Sequence, residues 1–145
     1  MIADEIRQQL RYIVEGISFE ESLDGCKTVR NFLSESFGTD PTVKREFEGK
    51  ARRKEEQQSC LNNYAQQKNL WLPAPTDNFL ARGGESRVFL SADGRNVIKL
   101  NDGGYYATWT EYFNNLVIHN LLFPGTAYNL IGFTMSDNQF CVMLE

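Results

Sequence analysis

The sequence predicts an α+β fold in which a helical N-terminal region precedes a five-stranded antiparallel sheet with one helix. Apolar residues recur at helical spacing before the Pro73-Ala74-Pro75 segment, whereas short strand-like runs separated by turn residues follow it. The composition changes at the same point, because 11 of the 15 Lys and Arg residues precede Pro73 and 11 of the 18 aromatic residues follow it. We therefore divide the 145 residues into a helical region, residues 1–72, and a sheet-containing region, residues 73–145.

The first two helices of the helical region are indicated by spacing and by a capping pattern. Ile6, Leu10 and Ile13 lie at i, i+4 and i+7, which places them on one face of the first helix. Ser18 followed by Glu21 forms the S-x-x-E pattern of a capping box, so the second helix is expected to start there.

A third helix is expected after Asp40-Pro41, a helix-capping residue followed by a proline suited to the first helical position. This helix runs from Phe47 towards Ala65, and its middle, residues 50–58, is almost wholly polar. We expect that run to be a solvent-exposed face. A nucleic-acid contact through its basic residues is the alternative, which the acidic residues beside them disfavour. The basic residues are Arg52, Arg53 and Lys54, and the acidic ones are Glu55 and Glu56.

The second region alternates short strands with turns. Asp93-Gly94 between two strand-like runs is a hairpin signal, and Ser136-Asp137-Asn138 joins the last two strands. A helix is expected over residues 108–123, where aromatic and aliphatic residues form one stripe that Pro124-Gly125 ends. The expected strands are residues 79–81, 87–91, 96–100, 128–134 and 139–144.

Charge and cysteine content exclude several classes of protein. The formal net charge of −4 argues against non-specific nucleic-acid binding, and no apolar run approaches the ~18 residues of a membrane span. Cys26, Cys60 and Cys141 are scattered and only one His is present, so neither a zinc site nor a disulfide scaffold is expected. The N-terminus lacks the pattern of a signal peptide, and we expect a cytoplasmic protein without a resident metal.

Three features in the second region could carry chemistry, and the first two concern a turn and a strand. Gly83 and Gly84 join the first two strands, where glycines let a backbone approach an anionic ligand, although a plain hairpin turn has the same residues. Lys99 lies inside an apolar strand on the same face as Val97. That face is either exposed to solvent or forms a cleft that holds an anion such as a phosphate.

The third feature is Glu111, which lies in the first turn of the following helix. Thr108-x-x-Glu111 fits a capping box, and acidic residues favour helix N-termini in any case. The alternative is that the Glu111 carboxylate pairs with Lys99 and orients it.

The order of these features, a glycine turn, a strand with Lys, a helix with Glu and two further strands, resembles the N-terminal lobe of a protein kinase. When the Val of the kinase pattern G-x-G-x-x-G-x-V is set on Val88, its glycines fall on Ala81, Gly83 and Ser86, and V-A-I-K falls on residues 96–99. The Arg82–Val88 segment further resembles the kinase-like module of polyvalent proteins, which are carried by phages and conjugative elements. The resemblance covers residues 75–145 and only loosely the preceding helices.

This resemblance implies a role for each matching residue. Lys99 would hold the α- and β-phosphates of ATP, and Glu111 would be its helix partner; these two are the expected catalytic residues. Leu144 would stand at the gatekeeper position, and the backbone of Glu145 would begin the contact with adenine. The expected cofactor-binding residues are Gly83, Gly84, Ser86, Val88, Val97, Lys99, Leu144 and Glu145.

The expected function is that of the N-terminal fragment of an ATP-dependent phosphotransferase with a protein or small-molecule acceptor. The full-length parent would use ATP and Mg²⁺, whereas this chain would require neither. It contains no H-R-D and no D-F-G motif and stops inside an apolar strand, so we expect a lobe truncated at the hinge and inactive alone. The apolar surface of such a lobe could support a homodimer. The alternatives are a pseudokinase and an interaction module without catalysis.

Overall fold

The structure, a computed structural model, describes residues 3–20, 24–37, 47–84 and 86–145. Within these ranges the helices are α1 (Asp4–Glu15), α2 (Gly25–Phe37), α3 (Phe47–Gln67) and α4 (Trp109–Leu122), and a short 3₁₀ helix covers Pro124–Thr126. The strands are β1 (Phe79–Arg82), β2 (Ser86–Leu90), β3 (Val97–Asn101), β4 (Leu130–Ser136) and β5 (Gln139–Leu144). Among the described helices none is long and apolar enough to cross a membrane. The α+β prediction is confirmed.

The chain forms two units. The helical unit contains Met1–Gln57 and Ala107–Tyr128, and the sheet unit contains Gln58–Tyr106 and Asn129–Glu145. The division into residues 1–72 and 73–145 that the composition suggests stays a prediction.

The five strands form one antiparallel sheet in the order β1-β2-β3-β5-β4. Two of its connections are tight because their residues tolerate a left-handed backbone. Asp137 and Asn138 both have positive φ, as a two-residue hairpin turn of type I′ requires. Gly94 has a φ of +71° in the β2–β3 loop, where its N–H donates to the carbonyl of Ser91. The predicted Asp93-Gly94 hairpin is therefore confirmed, and the predicted Ser136-Asp137-Asn138 connection is present, with Ser136 as the last residue of β4.

One face of the sheet carries an apolar cluster, and the edge of β4 is covered by the chain itself. Phe89, Leu100, Cys141 and Met143 are the buried members of the cluster. Beside β4, the Phe133 N–H donates to the Leu70 carbonyl at 2.8 Å and the Leu72 N–H donates to the Phe133 carbonyl at 2.9 Å. This close approach requires Gly132, because a Cβ there would lie 2.3 Å from the Leu70 carbonyl oxygen.

In the helical unit, a fully buried arginine closes the C-terminal end of α1. The Arg30 guanidinium donates to the carbonyls of Tyr12, Ile13 and Ile17, and its Nε donates to Asn114 Oδ1 at 2.9 Å. Burial lowers the pKa of Arg30. The Tyr12 and Ile13 carbonyls also accept from the Ile17 and Gly16 N–H groups, so Arg30 adds second donors there and ties the residue that follows α1, Ile17, to the helix end.

The start of α4 is capped from two directions. Thr108 Oγ1 accepts from the Glu111 N–H at 3.2 Å, as the capping pattern predicts. Gln57 Oε1 accepts from the Trp109 N–H at 2.7 Å and from the Thr110 N–H at 3.3 Å. Gln57 belongs to the polar run that we expected to face solvent, but it is buried, so the prediction was wrong at this position.

The predicted start of the second helix is also wrong. Residues 16–20 are not helical, and α2 begins at Gly25, where Asp24 Oδ1 accepts from the Cys26 N–H at 2.9 Å. Ser18 instead donates to Glu35 Oε1. The Asp40-Pro41 prediction lies outside the described residues, whereas the third helix itself is present as α3.

Candidate functional site

Lys99 lies in the middle of the sheet, between two apolar residues on neighbouring strands. In the antiparallel register it is opposite Val88 on β2 and opposite Leu144 on β5. Residues directly opposite each other point to the same side of a sheet, so these three side chains form one row. We call this side of the sheet the Lys99 face. Lys99 is half-buried and Leu144 is buried.

Val97 extends the Lys99 face towards the start of β3. It lies two residues before Lys99, which places both side chains on the same face, as the period of the strand predicts. Val97 is 47% exposed, so an apolar surface remains accessible beside the half-buried ammonium of Lys99. The geometry combines a positive charge with apolar side chains on three adjacent strands.

The glycine turn between β1 and β2 is a tight hairpin. Gly83 donates its N–H to the Ser86 carbonyl at 2.8 Å. At Gly84 a Cβ would lie 1.8 Å from the Tyr105 hydroxyl oxygen, so a larger residue there would displace the exposed Tyr105 side chain. Glu85 lies outside the described residues. The turn thus packs against the loop that follows β3.

A hollow of about 260 Å³ opens at this turn, on the side of the sheet opposite the Lys99 face. Arg87 and Leu100 are register partners, one position along from the Val88–Lys99 pair, so their side chains point to the other side. The sequence suggested that Lys99 lies in a cleft beside the glycine turn. Lys99 is not among the lining residues of the hollow described here. We call it the arginine hollow; its lining residues are Arg82, Gly83, Gly84, Ser86, Arg87, Leu100, Asp102, Gln139 and Cys141.

Two arginines of this hollow converge on one carboxylate. Arg87 Nη1 lies 2.8 Å from Asp137 Oδ2, and Arg82 Nη2 lies 3.5 Å from the same oxygen. At the floor, burial raises the pKa of the Cys141 thiol, and the Arg87 charge partly opposes that shift. Sequence reasoning missed Arg82 and Arg87. The sequence signal for this pair is its symmetric position on the two sides of the glycine turn, whereas the contact with Asp137 has no sequence signal.

The remaining predicted site residues, Glu111 and Glu145, lie at the ends of other elements. Glu111 is in the first turn of α4, in the helical unit, and its pairing with Lys99 stays a prediction. The Glu145 N–H donates to the Asn129 carbonyl at 2.9 Å, and the Glu145 carbonyl accepts from the Asn129 N–H at 3.0 Å. A carbonyl oxygen has a second lone pair, so the proposed contact with adenine remains open to it.

Comparison with known proteins gives one match. No curated protein and no solved structure matches this chain. The model of a family described as serine/threonine/tyrosine kinases found in polyvalent proteins matches residues 54–145. This range covers more than half of the chain and includes all five strands and α4. The chain belongs to this family of polyvalent-protein kinases.

Proposed function

We propose that this chain carries the nucleotide-binding sheet of an ATP-dependent phosphotransferase. The observation that carries the proposal is the row formed by Val88, Lys99 and Leu144, because it combines a half-buried cation with apolar side chains on one face. An ammonium group suits phosphate oxygens, and apolar side chains suit a purine ring. Membership in a kinase family supports the same function.

Each residue of the Lys99 face has a distinct role in this proposal. The Lys99 ammonium pairs with the α- and β-phosphates, while Val88 and Val97 contact the adenine. Leu144 limits the depth of the adenine pocket, and the Glu145 carbonyl accepts from the adenine amine. Glu111 orients Lys99, and Gly83, Gly84 and Ser86 allow the backbone of the turn to approach the phosphates.

We propose that the acceptor is a hydroxyl group of a protein side chain, because the matching family is described as serine/threonine/tyrosine kinases. ATP would supply the phosphoryl group and Mg²⁺ would neutralise part of its charge. Phosphoryl transfer also needs carboxylates that hold the metal ion and orient the acceptor, and in kinases the H-R-D and D-F-G motifs supply them. The 145 residues contain neither motif. We therefore propose that the chain alone binds nucleotide without transferring phosphate.

The test is a titration of the isotope-labelled 145-residue chain with MgATP and with adenosine, followed by NMR at the methyl groups of Val88, Val97 and Leu144. We expect Lys99→Ala to weaken MgATP binding about tenfold, the equivalent of one charge-assisted hydrogen bond, and to leave adenosine binding unchanged. Lys68→Ala is the matched control, because it removes the same charge from an exposed position.

Equal MgATP affinity in the Lys99→Ala variant and the wild type would refute the role of Lys99. Shifts that appear around Cys141 instead of the three methyl groups would place the nucleotide on the wrong side of the sheet. The amide spectrum of each variant establishes that the sheet remains folded.

A further inference from the structure

The arginine hollow shares the glycine turn with the proposed nucleotide site but opens on the side of the sheet opposite the Lys99 face. One of its two cationic groups is held within the fold. The Arg87 side chain is only 16% exposed, and its neighbours at the floor of the hollow, Leu100 and Cys141, are buried. A guanidinium held in this way loses little conformational freedom when it binds an anion.

Among the described residues, the two guanidinium groups share one counter-ion. Arg82 and Arg87 both reach Asp137 Oδ2, and the Asp137 side chain is 68% exposed in its turn. An exposed ion pair contributes little stability, so a better anion can replace the carboxylate at small cost. Asp102 is an acidic residue in the lining of the hollow, and its Oδ1 accepts from the Gly104 N–H at 2.9 Å.

The shape and donors of the hollow favour one chemical class of ligand. Planar guanidinium forks bind phosphate oxygens in pairs, and the side-chain amide of Gln139 adds a further donor at the rim. A volume of about 260 Å³ far exceeds the ~15 Å³ that one water molecule needs, so the phosphate can enter with part of the group that it esterifies.

We propose that the arginine hollow is a binding site for a phosphate monoester, with Arg82 and Arg87 as the phosphate ligands. The incoming phosphate displaces the Asp137 carboxylate, which acts as a built-in competitor. The ligand is either a free phosphorylated metabolite or a phosphorylated side chain of a protein. Both present the same dianionic group. The site acts independently of Lys99.

The experiment is an NMR titration of the ¹⁵N-labelled 145-residue chain, observed at the arginine Nε–Hε signals and at the amides of Gln139 and Cys141, which line the hollow and have no part in the proposed nucleotide site. The probes are free O-phosphoserine and a nonapeptide in which phosphoserine is the charged side chain. Both are used at constant ionic strength, set with a chloride salt. We expect Arg87→Gln to weaken binding of the phosphate probes at least tenfold and Arg82→Gln to weaken it less, because Arg82 is more exposed. Asp137→Asn is expected to strengthen binding about fivefold, since it removes the competitor.

Two controls separate this site from other effects. Lys99→Ala is expected to leave binding of O-phosphoserine unchanged, so a failure of the nucleotide proposal does not affect this test. Arg87→Lys keeps the charge but not the planar fork, so it is expected to bind several-fold more weakly while the sheet stays folded. It therefore replaces Arg87→Gln if that variant does not fold.

Tighter binding of the phosphopeptide identifies a phosphorylated side chain as the source, and equal binding identifies a free monoester; both support the site. Failure of wild type and of Asp137→Asn to bind either probe at 10 mM overturns the proposal. The proposal is also overturned if the wild type, Arg87→Gln and Arg87→Lys bind the phosphate probes equally. Displacement of a bound probe by acetate at the same concentration overturns it as well.

Discussion

The helical unit and the sheet unit satisfy their buried polar groups in different ways. In the helical unit, the buried side chains of Arg30 and Gln57 bond the terminal backbone groups of α1 and α4. In the sheet unit, neighbouring strands bond each other, and the Arg82, Arg87 and Asp137 group lies at the glycine turn. Buried helix ends need side-chain partners, whereas a strand inside a sheet finds its partners in the adjacent backbones. Single polar side chains therefore matter more to the helical unit.

The largest effect is expected at Arg30. Arg30→Met keeps an unbranched apolar stem but removes the guanidinium hydrogen bonds to Tyr12, Ile13 and Ile17, while the Tyr12 and Ile13 carbonyls keep their backbone donors. A hydrogen bond to a charged group contributes ~1.5–3 kcal/mol, so we expect the loss of several such bonds to lower the free energy of unfolding by about 3 kcal/mol or more. Urea denaturation measures the loss, and amide hydrogen exchange locates it in α1.

Arg30→Lys is the matched variant, because it keeps the charge and part of the donor capacity, and it should lose less stability than Arg30→Met. A change below about 1 kcal/mol in Arg30→Met would mean that the helical unit does not depend on this side chain, and the contrast between the units would fail.

A smaller effect is expected in the sheet unit at Gly132, where the backbone itself is the sensitive element. A methyl group in Gly132→Ala would overlap the Leu70 carbonyl oxygen and push the Leu70–Leu72 segment away from β4. Overpacking of this kind costs ~1–3 kcal/mol. Gly125→Ala is the control, because nothing lies within 4 Å of a Cβ at that position. Equal unfolding free energies for the two variants would contradict the close approach at β4.

The smallest effect concerns Asp93 and depends on pH. Hydrogen bonds from the Ser91 hydroxyl and the Arg95 N–H hold the pKa of Asp93 below its ordinary value of 3.8. Because the folded-state pKa is the lower one, the stabilisation is present above the ordinary value and disappears as the pH falls through the folded-state value. We expect Asp93→Asn to be slightly less stable than the wild type at pH 7, and this difference to vanish in strong acid.

Thermal unfolding of both proteins between pH 7 and pH 2 measures this dependence. A difference that stays constant over the whole range would show that the Asp93 carboxylate does not stabilise the β2–β3 loop through its charge.

The elements with a clear apolar period could be predicted from the sequence, and the tertiary polar contacts could not. Strand alternation places Val97 and Lys99 on one face, and Thr108 caps α4 as its pattern indicates. Gln57 lies in a charged run without an apolar period, so nothing local distinguishes it from its exposed neighbours. Asp24 starts α2 where Ser18 was expected to, since both residue types make good caps and only the path of the chain selects between them.

The arginine hollow illustrates the same limit at the candidate site. Arg87 and Asp137 are 50 residues apart in the sequence, and only the strand order brings the first hairpin and the last turn together. A row such as Val88, Lys99 and Leu144 can be proposed from a family pattern, because its members follow the strands. A cluster built from two turns has no such pattern.

The pairing of Leu70–Leu72 with β4 has a consequence for how the chain avoids self-association. An open strand at the margin of a sheet offers unpaired amides and carbonyls to any other polypeptide. Here the segment before Pro73 occupies part of that margin, and Trp71 stacks against Phe140 beside it. A polypeptide beginning at Pro73 would lack this cover and would expose the edge of β4.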